Sequence, residues 1–217
     1  MIEQTSTKPL RSVAKCLFAA AITFAAATSF AAEAQSQLQR FVKEVQSAKG
    51  NFTQQVVDAQ GQSRQVQEGE FAFERPGRFS WHTLKPYEQV VVSDGKVLRQ
   101  YDPDLAQVTE RPVDESIGAS PAAILFGSGS LEDAFELSNL EDRDGLAWLR
   151  ATPRAGDAGF AHVDIGFAQG KPQRLELLDA FGQTTRIGLT NIQANPSLPA
   201  DAFQLDVPAD VDVVRMQ

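Results

Sequence analysis

The chain has 217 residues, of which 42% are hydrophobic and 22% are charged, and its formal net charge is −8. This composition is typical of a soluble globular protein and supplies enough apolar residues for one sizeable core, so we predict a single domain. The negative charge disfavours nucleic acid and anionic membrane surfaces as binding partners.

Residues 1–31 have the pattern of a secretory signal peptide. Three basic residues precede the uncharged run CLFAAAITFAAATSFAA, and small residues around SFAAEA suit a cleavage site after Ala31 or after Ala34. The alternative is an uncleaved membrane anchor, although the run is short for a span. Cys16 is the single cysteine and lies at the start of the apolar run, where it is misplaced for lipid attachment. We therefore expect an exported mature chain, 32–217, without a thiol or a lipid anchor.

Hydrophobic spacing predicts one helix followed by strands. The apolar residues from Leu38 to Val45 follow i, i+3, i+4, i+7 spacing, which predicts an amphipathic helix over residues 36–48. Alternation with a period of two then predicts an antiparallel meander, because proline and glycine turns separate the runs. The predicted strands are 51–57, 64–74, 77–83, 88–94, 96–102 and 105–110.

The middle of the chain interrupts this pattern. Ser120 is a suitable N-cap with proline after it, which predicts a short helix over residues 121–126, and SLED predicts a second short helix after Ser130. About eleven strands in one curved sheet follow from the whole pattern. The later predicted strands are 135–142, 146–153, 161–168, 172–180, 184–192 and 203–207. Residues 211–214 are either a further strand or a tail.

Catalytic motifs are weak in this sequence. His82 and His162 lack the spacing of zinc ligands, and we interpret both as surface or interfacial strand residues. GSGS at 127–130 lacks the second glycine of a nucleophile elbow and suits a flexible joint instead. No nucleotide phosphate-binding motif occurs. We predict that the protein is not an enzyme and has no metal site.

The aromatic residues indicate an apolar binding face. Alternate side chains of a strand share a face, so FAFERPGRFSW places Phe71, Phe73, Phe79 and Trp81 together and also turns Arg75 toward them. Such a stripe usually fills a closed core. The small apolar segment IGASPAAILFGSGS is instead typical of a movable cover. A curved sheet with this cover predicts an apolar cavity that holds lipid.

Four sequence blocks resemble a known family. NFTQQ, EGEFAFERPGRFSW, PYEQVVVSDGKVLRQYDP and DAFQLDVPADVDVV follow in this order, and together they resemble the periplasmic outer-membrane lipoprotein carrier family, LolA. The resemblance implies a mainly β fold with helices, in which an unclosed antiparallel β-barrel is covered by an N-terminal helix and short lid helices. It also implies that 32–217 is one soluble carrier domain in the periplasm and that no cofactor is involved.

The resemblance further implies partners. Such a carrier takes acylated lipoproteins released by an inner-membrane ABC transporter, shields their acyl chains and delivers them to an outer-membrane receptor of the same fold. We expect a monomer. A receptor of this fold would need a lipidated cysteine after the signal peptide, and a stress sensor of this fold usually has a further domain. The third alternative is a lipid esterase, for which GSGS alone is too weak a motif.

Site residues follow from the same resemblance. Arg75 matches the arginine of the family's R-P motif, which implies a latch that bonds the lid, for which carbonyls of the 121–126 helix are candidates. The alternative is that Arg75 reaches solvent or a carboxylate such as Glu74 or Glu88. The expected cavity walls are Phe71, Phe73, Phe79, Trp81, Val90 and Val92, and the expected lid residues are Ile124, Leu125 and Phe126. In the predicted strand 88–94, Val91 is the alternative wall residue to Val90 and Val92.

Overall fold

The structure is a computed structural model that describes residues 33–113, 131–155, 159–208 and 210–216. The predicted signal peptide, the predicted 121–126 helix with Ile124, Leu125 and Phe126, and the GSGS segment lie outside the described residues. None of the helices in the described ranges is long and apolar enough to cross a membrane.

The described residues form a mainly β structure with two α-helices. Helix α1 spans Glu33–Glu44, and helix α2, the one predicted after Ser130, spans Leu131–Ala134. The strands are β1 (Ser47–Val57), β2 (Gln67–Glu74), β3 (Arg78–Lys85), β4 (Gln89–Asp94), β5 (Val97–Asp102), β6 (Gln107–Pro112), β7 (Phe135–Asn139), β8 (Ala147–Pro153), β9 (Phe160–Ala168), β10 (Lys171–Asp179), β11 (Thr184–Ala194) and β12 (Asp212–Arg215).

The twelve described strands make one open sheet. Their order is β12-β6-β5-β4-β3-β2-β1-β11-β10-β9-β8-β7. All neighbours pair antiparallel except β12, which runs parallel to β6. The predicted unclosed, mainly β architecture is confirmed, although one pair of strands is parallel where a wholly antiparallel sheet was expected.

The predicted strand at 203–207 is wrong. These residues pair with no described strand, and the chain instead forms its last strand at β12. Phe203 is nevertheless buried, and its ring lies 5.1 Å from the Arg78 guanidinium on the outer face of the sheet. The burial of Phe203 therefore reflects packing on that face and not strand pairing.

Helix α1 covers one face of the sheet, which we call the inner face. Its buried residues include Ala34, Leu38 and Phe41, and the helix contacts β7, β8, β9 and β10. The helix ends four residues earlier than predicted, because Ser47 and Ala48 already pair with β2. Other buried residues of the inner face are Phe52, Leu149, Ile165, Leu175, Ile187 and Leu189.

The opposite, outer face of β8–β10 carries an ion pair whose aspartate is buried. Asp164 is 3% exposed and accepts two hydrogen bonds from Arg150, at 2.7 and 2.9 Å. Beside it the Arg143 guanidinium lies 3.9 Å from the Trp148 ring centroid. Gly166 gives the indole room, since a Cβ there would lie 3.1 Å from the ring. These contacts explain how an aspartate and a tryptophan are buried outside the main core.

Candidate functional site

The four predicted aromatic residues lie together on the inner face. The register of β2 and β3 places Phe71 opposite Trp81 and Phe73 opposite Phe79. The three phenylalanines are buried and Trp81 is half-buried. The prediction that these rings share one face is therefore confirmed, whereas their contact with an acyl chain stays a prediction.

A fifth ring, Phe52 of β1, joins this cluster. Its ring stacks on Trp81 with centroids 3.8 Å apart, and Phe71 stacks on the same indole at 6.1 Å. Gly69 provides the space, because a Cβ there would lie 2.7 Å from the Phe52 ring. Phe52 is missing from the cavity residues predicted from the sequence, although it alternates with the polar residues Asn51 and Thr53 in NFTQQ, which was a usable signal.

Helix α1 closes the other side of the cluster. Phe41 meets Phe73 edge to face, with centroids 6.2 Å apart and an interplanar angle of 61°. Gly50 allows a neighbouring ring to lie flat over β1, since a Cβ there would lie 2.8 Å from the Phe71 ring. Over β1–β3 the inner face is thus packed with aromatic rings, several of which are in direct contact. An apolar ligand would have to displace some of these contacts to enter.

The expected placement of Val90 and Val92 needs correction. The register of β3 and β4 pairs Val91 with Trp81, so Val91 lies on the inner face and packs against the core cluster. Val90 and Val92 pair with His82 and Ser80 on the outer face. Three consecutive valines carry no alternation, so parity could not be assigned from the sequence.

Arg75 lies at the rim of the cluster, just after β2. Its Nε donates a hydrogen bond to the Val45 carbonyl at 3.1 Å, and its backbone N–H donates to the Gln46 carbonyl at 2.8 Å. The guanidinium also lies over Phe73, 5.2 Å from the ring centroid. Burial lowers the pKa of Arg75, but a guanidinium keeps its charge in proteins.

These contacts answer why an arginine points toward apolar residues. The guanidinium packs against the face of the Phe73 ring, and its Nε donates a hydrogen bond to the carbonyl of Val45, the residue that follows α1. The two carboxylates considered as alternative partners are engaged elsewhere, Glu74 with Arg78 and Glu88 with His82. The expected bond from Arg75 to the lid concerns residues outside the described ranges.

The histidines have structural contacts. His82 lies 2.9 Å from Glu88, and His162 lies 4.0 Å from Asp164, near Arg150. Burial, together with the charge of Arg150, lowers the pKa of His162 below its ordinary value. Within the described ranges no group of three or more His, Cys, Asp or Glu could hold a metal ion.

The fold and the aromatic face define a class of open-sheet β proteins whose apolar inner face lies under an amphipathic helix. Residues 43–206 of the chain match the family described as outer membrane lipoprotein carrier protein LolA. The chain belongs to this family, as the sequence blocks indicated.

The chain aligns over most of its length with relatives that have curated descriptions. The chain is 60% identical over 197 residues to the outer-membrane lipoprotein carrier protein of Bordetella avium, covering 91% of this chain and 94% of that one. It is 50% identical over 187 residues to the protein of the same description from Cupriavidus pinatubonensis, covering 85% and 88%.

Solved structures of distant sequence show the same fold. An uncharacterized conserved protein from Thermus thermophilus superposes with a TM-score of 0.55 at 16% identity, covering 84% of this chain and 99% of that one. A LolA superfamily protein from Nitrosomonas europaea gives a TM-score of 0.50 at 13% identity, covering 79% and 97%. At these identities the likeness concerns the fold alone.

Proposed function

We propose that this protein carries acylated lipoproteins through the periplasm, with their acyl chains held against the inner face. The observation that carries the proposal is the aromatic cluster of β1–β3, which helix α1 meets through Phe41, in a chain that belongs to the lipoprotein carrier family. Residues 1–31 act as the signal peptide that directs the chain to the periplasm.

The energetics explain why a carrier is needed. Each methylene buried away from water contributes about 0.8 kcal/mol, so an acyl chain of about 16 carbons costs on the order of 10 kcal/mol to expose. Ring contacts such as the stacked pair Phe52 and Trp81 must separate to admit the chain. Binding therefore replaces one set of apolar contacts by another, which keeps the affinity low enough for release.

The acyl chains would contact the inner-face residues of β2, β3 and β4. Val91 takes the place of Val90 and Val92 in this proposal, because the register puts it beside Trp81. The proposed walls are Phe71, Phe73, Phe79, Trp81 and Val91, and the proposed lid residues remain Ile124, Leu125 and Phe126.

Arg75 would act as a latch on this cavity. Its described bond to the Val45 carbonyl ties the end of β2 to the end of α1, so the guanidinium holds the helical cover against the sheet. A charge-assisted hydrogen bond contributes about 1.5–3 kcal/mol. Cargo that moves α1 or the 121–126 lid would break such bonds, and their recovery would favour the empty, closed state when the cargo leaves.

Such a carrier has two membrane-bound partners. An inner-membrane ABC transporter would supply the lipoprotein, and an outer-membrane receptor would accept it from a monomeric carrier. The carrier itself uses no cofactor in either step, and it breaks no bond in the cargo.

A release assay tests the proposal. Spheroplasts that hold acyl-labelled lipoproteins in the inner membrane are incubated with the purified mature chain, and labelled lipoprotein should enter the supernatant as a complex with it. A cargo variant without acyl groups should form no complex. Absence of release with a demonstrably active transporter would contradict the proposal, and free labelled fatty acid would indicate an esterase instead.

A further inference from the structure

The turns of the sheet divide between two ends. Because β1 and β11 pair antiparallel with Val57 opposite Thr184, the turn after β1 and the turn before β11 lie at the same end. Antiparallel pairing brings the turns after β3 and β5 to that end as well. We call it the hairpin end and define it by the segments 58–66, 84–88, 102–106 and 179–183. Arg75 follows β2 and lies at the opposite end.

The hairpin end carries most of the exposed large hydrophobic side chains. Phe181 is 83% exposed, and Tyr87 and Leu105 are each 69% exposed. Leu84 is 46% exposed and Val66 is 43% exposed, so each of the four segments carries at least one exposed large hydrophobic side chain. The other large hydrophobics exposed in the described ranges are Val213, Val214 and Met216, in and after β12.

Aspartates hold the 179–183 and 102–106 turns in place. Asp179 accepts hydrogen bonds from the backbone N–H groups of Phe181 and Gln183, both at 2.8 Å, and Asp102 accepts one from Leu105 at 3.3 Å. At the opposite end Asp94 accepts from Lys96 in a similar way, at 2.9 Å, but that turn presents a lysine. The turn chemistry therefore does not require an apolar residue at the tip.

The apolar tips are neighbours along one edge. A Cβ added to Gly182 would lie 3.4 Å from the Cβ of Ala59, so the 179–183 and 58–66 turns touch. Adjacent strands lie about 4.8 Å apart, so successive hairpins are about 10 Å apart and four of them extend over about 30 Å.

The charge at this end distinguishes between possible partners. The four segments contain the acidic residues Asp58, Glu88, Asp102, Asp104 and Asp179 against the basic residues Arg64 and Lys85. Carboxylates beside the apolar tips disfavour an anionic bilayer surface. They complement a protein surface on which lysines or arginines border apolar pockets.

We propose that the hairpin end is a docking surface for a protein partner whose interface combines apolar pockets with basic side chains. Phe181, Tyr87 and Leu105 are the anchors, and rigid turns lower the entropy that docking has to remove. The surface is separate from the inner face, and docking there leaves the Arg75 end free. The carrier can thus be held by its partner while cargo enters or leaves elsewhere.

The test measures binding to two probes, whose choice rests on the proposed function: the periplasmic domain of the lipoprotein-releasing transporter and the soluble domain of the receptor, both from the same organism. The combined variant Tyr87→Ser, Leu105→Ser and Phe181→Ser should bind at least one probe about a hundredfold more weakly than the wild type. The matched control Met216→Ser removes an exposed apolar side chain elsewhere and should bind normally. Raising the salt from about 50 to about 500 mM should weaken wild-type binding.

Three outcomes would overturn the docking proposal: undetectable binding of the wild type to both probes, equal binding by the combined variant, or binding to phosphatidylcholine vesicles that the combined variant loses. The last result would assign the surface to a bilayer. Uptake of a fluorescent fatty acid by the same variants, which should stay unchanged, reports separately on the acyl cavity. Failure of uptake by the wild type would count against the proposed function and not against the docking surface.

Discussion

Asn195 fixes the junction between α1 and β1 from the far end of β11. Its Oδ1 accepts hydrogen bonds from the backbone N–H groups of Gln46 and Ser47, at 2.8 and 3.3 Å, and its Nδ2 donates to the Glu44 carbonyl at 2.9 Å. Its φ of 53° lies in the left-handed region, which asparagine tolerates better than alanine. Replacing this residue should therefore loosen the end of the helical cover.

Three substitutions of Asn195 distinguish the contribution of its side-chain hydrogen bonds from the cost of its left-handed backbone conformation. Asn195→Gly keeps the backbone conformation accessible and loses bonds that contribute about 0.5–1.5 kcal/mol each, so we expect a loss of about 2 kcal/mol in the free energy of unfolding. Asn195→Ala should lose about 1 kcal/mol more, because alanine is strained at this φ. Asn195→Asp keeps the acceptor but loses the donor, and its charge faces the carbonyl end of α1, so about 1 kcal/mol is lost.

Urea unfolding of the four proteins, followed by far-ultraviolet circular dichroism, measures this order. With an m value of about 2 kcal/mol/M, the glycine variant should unfold at a urea concentration about 1 M lower than the wild type. A glycine variant within about 0.5 kcal/mol of the wild type would show that the three bonds do not hold the junction. Equal stability of the alanine and glycine variants would refute the backbone argument.

Three further predictions concern the site and its surroundings. Arg75→Leu should still take up acyl cargo but should transfer it poorly to the receptor, because the closed state loses its latch; normal transfer in a two-protein assay would contradict this role. Val91→Ser should weaken fatty-acid binding several-fold by removing apolar contact, whereas Val90→Ser on the outer face should not; equal effects would place the cavity elsewhere. Because burial lowers the pKa of His162, the unfolded state binds the proton more tightly, and wild-type stability should fall as the pH drops from about 7.5 to about 5. In unfolding measurements at each pH, His162→Gln should show a smaller dependence of stability on pH. Equal slopes for the two proteins would show that His162 does not titrate in this range.

Strand existence could be predicted from the sequence wherever apolar residues alternate. The strands of Phe71, Phe73, Phe79 and Trp81 alternate clearly, and the structure places these side chains on one face as expected. The same rule fails where alternation is missing, as in Val90–Val92, because only the partner strand determines which side is buried.

Long-range contacts could not be predicted from local patterns. Strand β12 pairs in parallel with β6 across about a hundred residues of chain, and nothing in DVVR specifies that partner. Arg75 likewise bonds a carbonyl 30 residues earlier, which its own strand pattern does not indicate. In both cases the neighbour, and not the local propensity, decides the structure.

The central position of β1 has a consequence for how the molecule folds. Strand β1 lies between β2, its neighbour in sequence, and β11, which begins at Thr184, so the two halves of the sheet join through a pairing of residues more than a hundred positions apart. Closing so long a loop is slow compared with forming hairpins. We expect β1–β6 and β7–β11 to assemble first as separate hairpin units. The inner face would then become a single surface only in the last step, when β11 docks against β1.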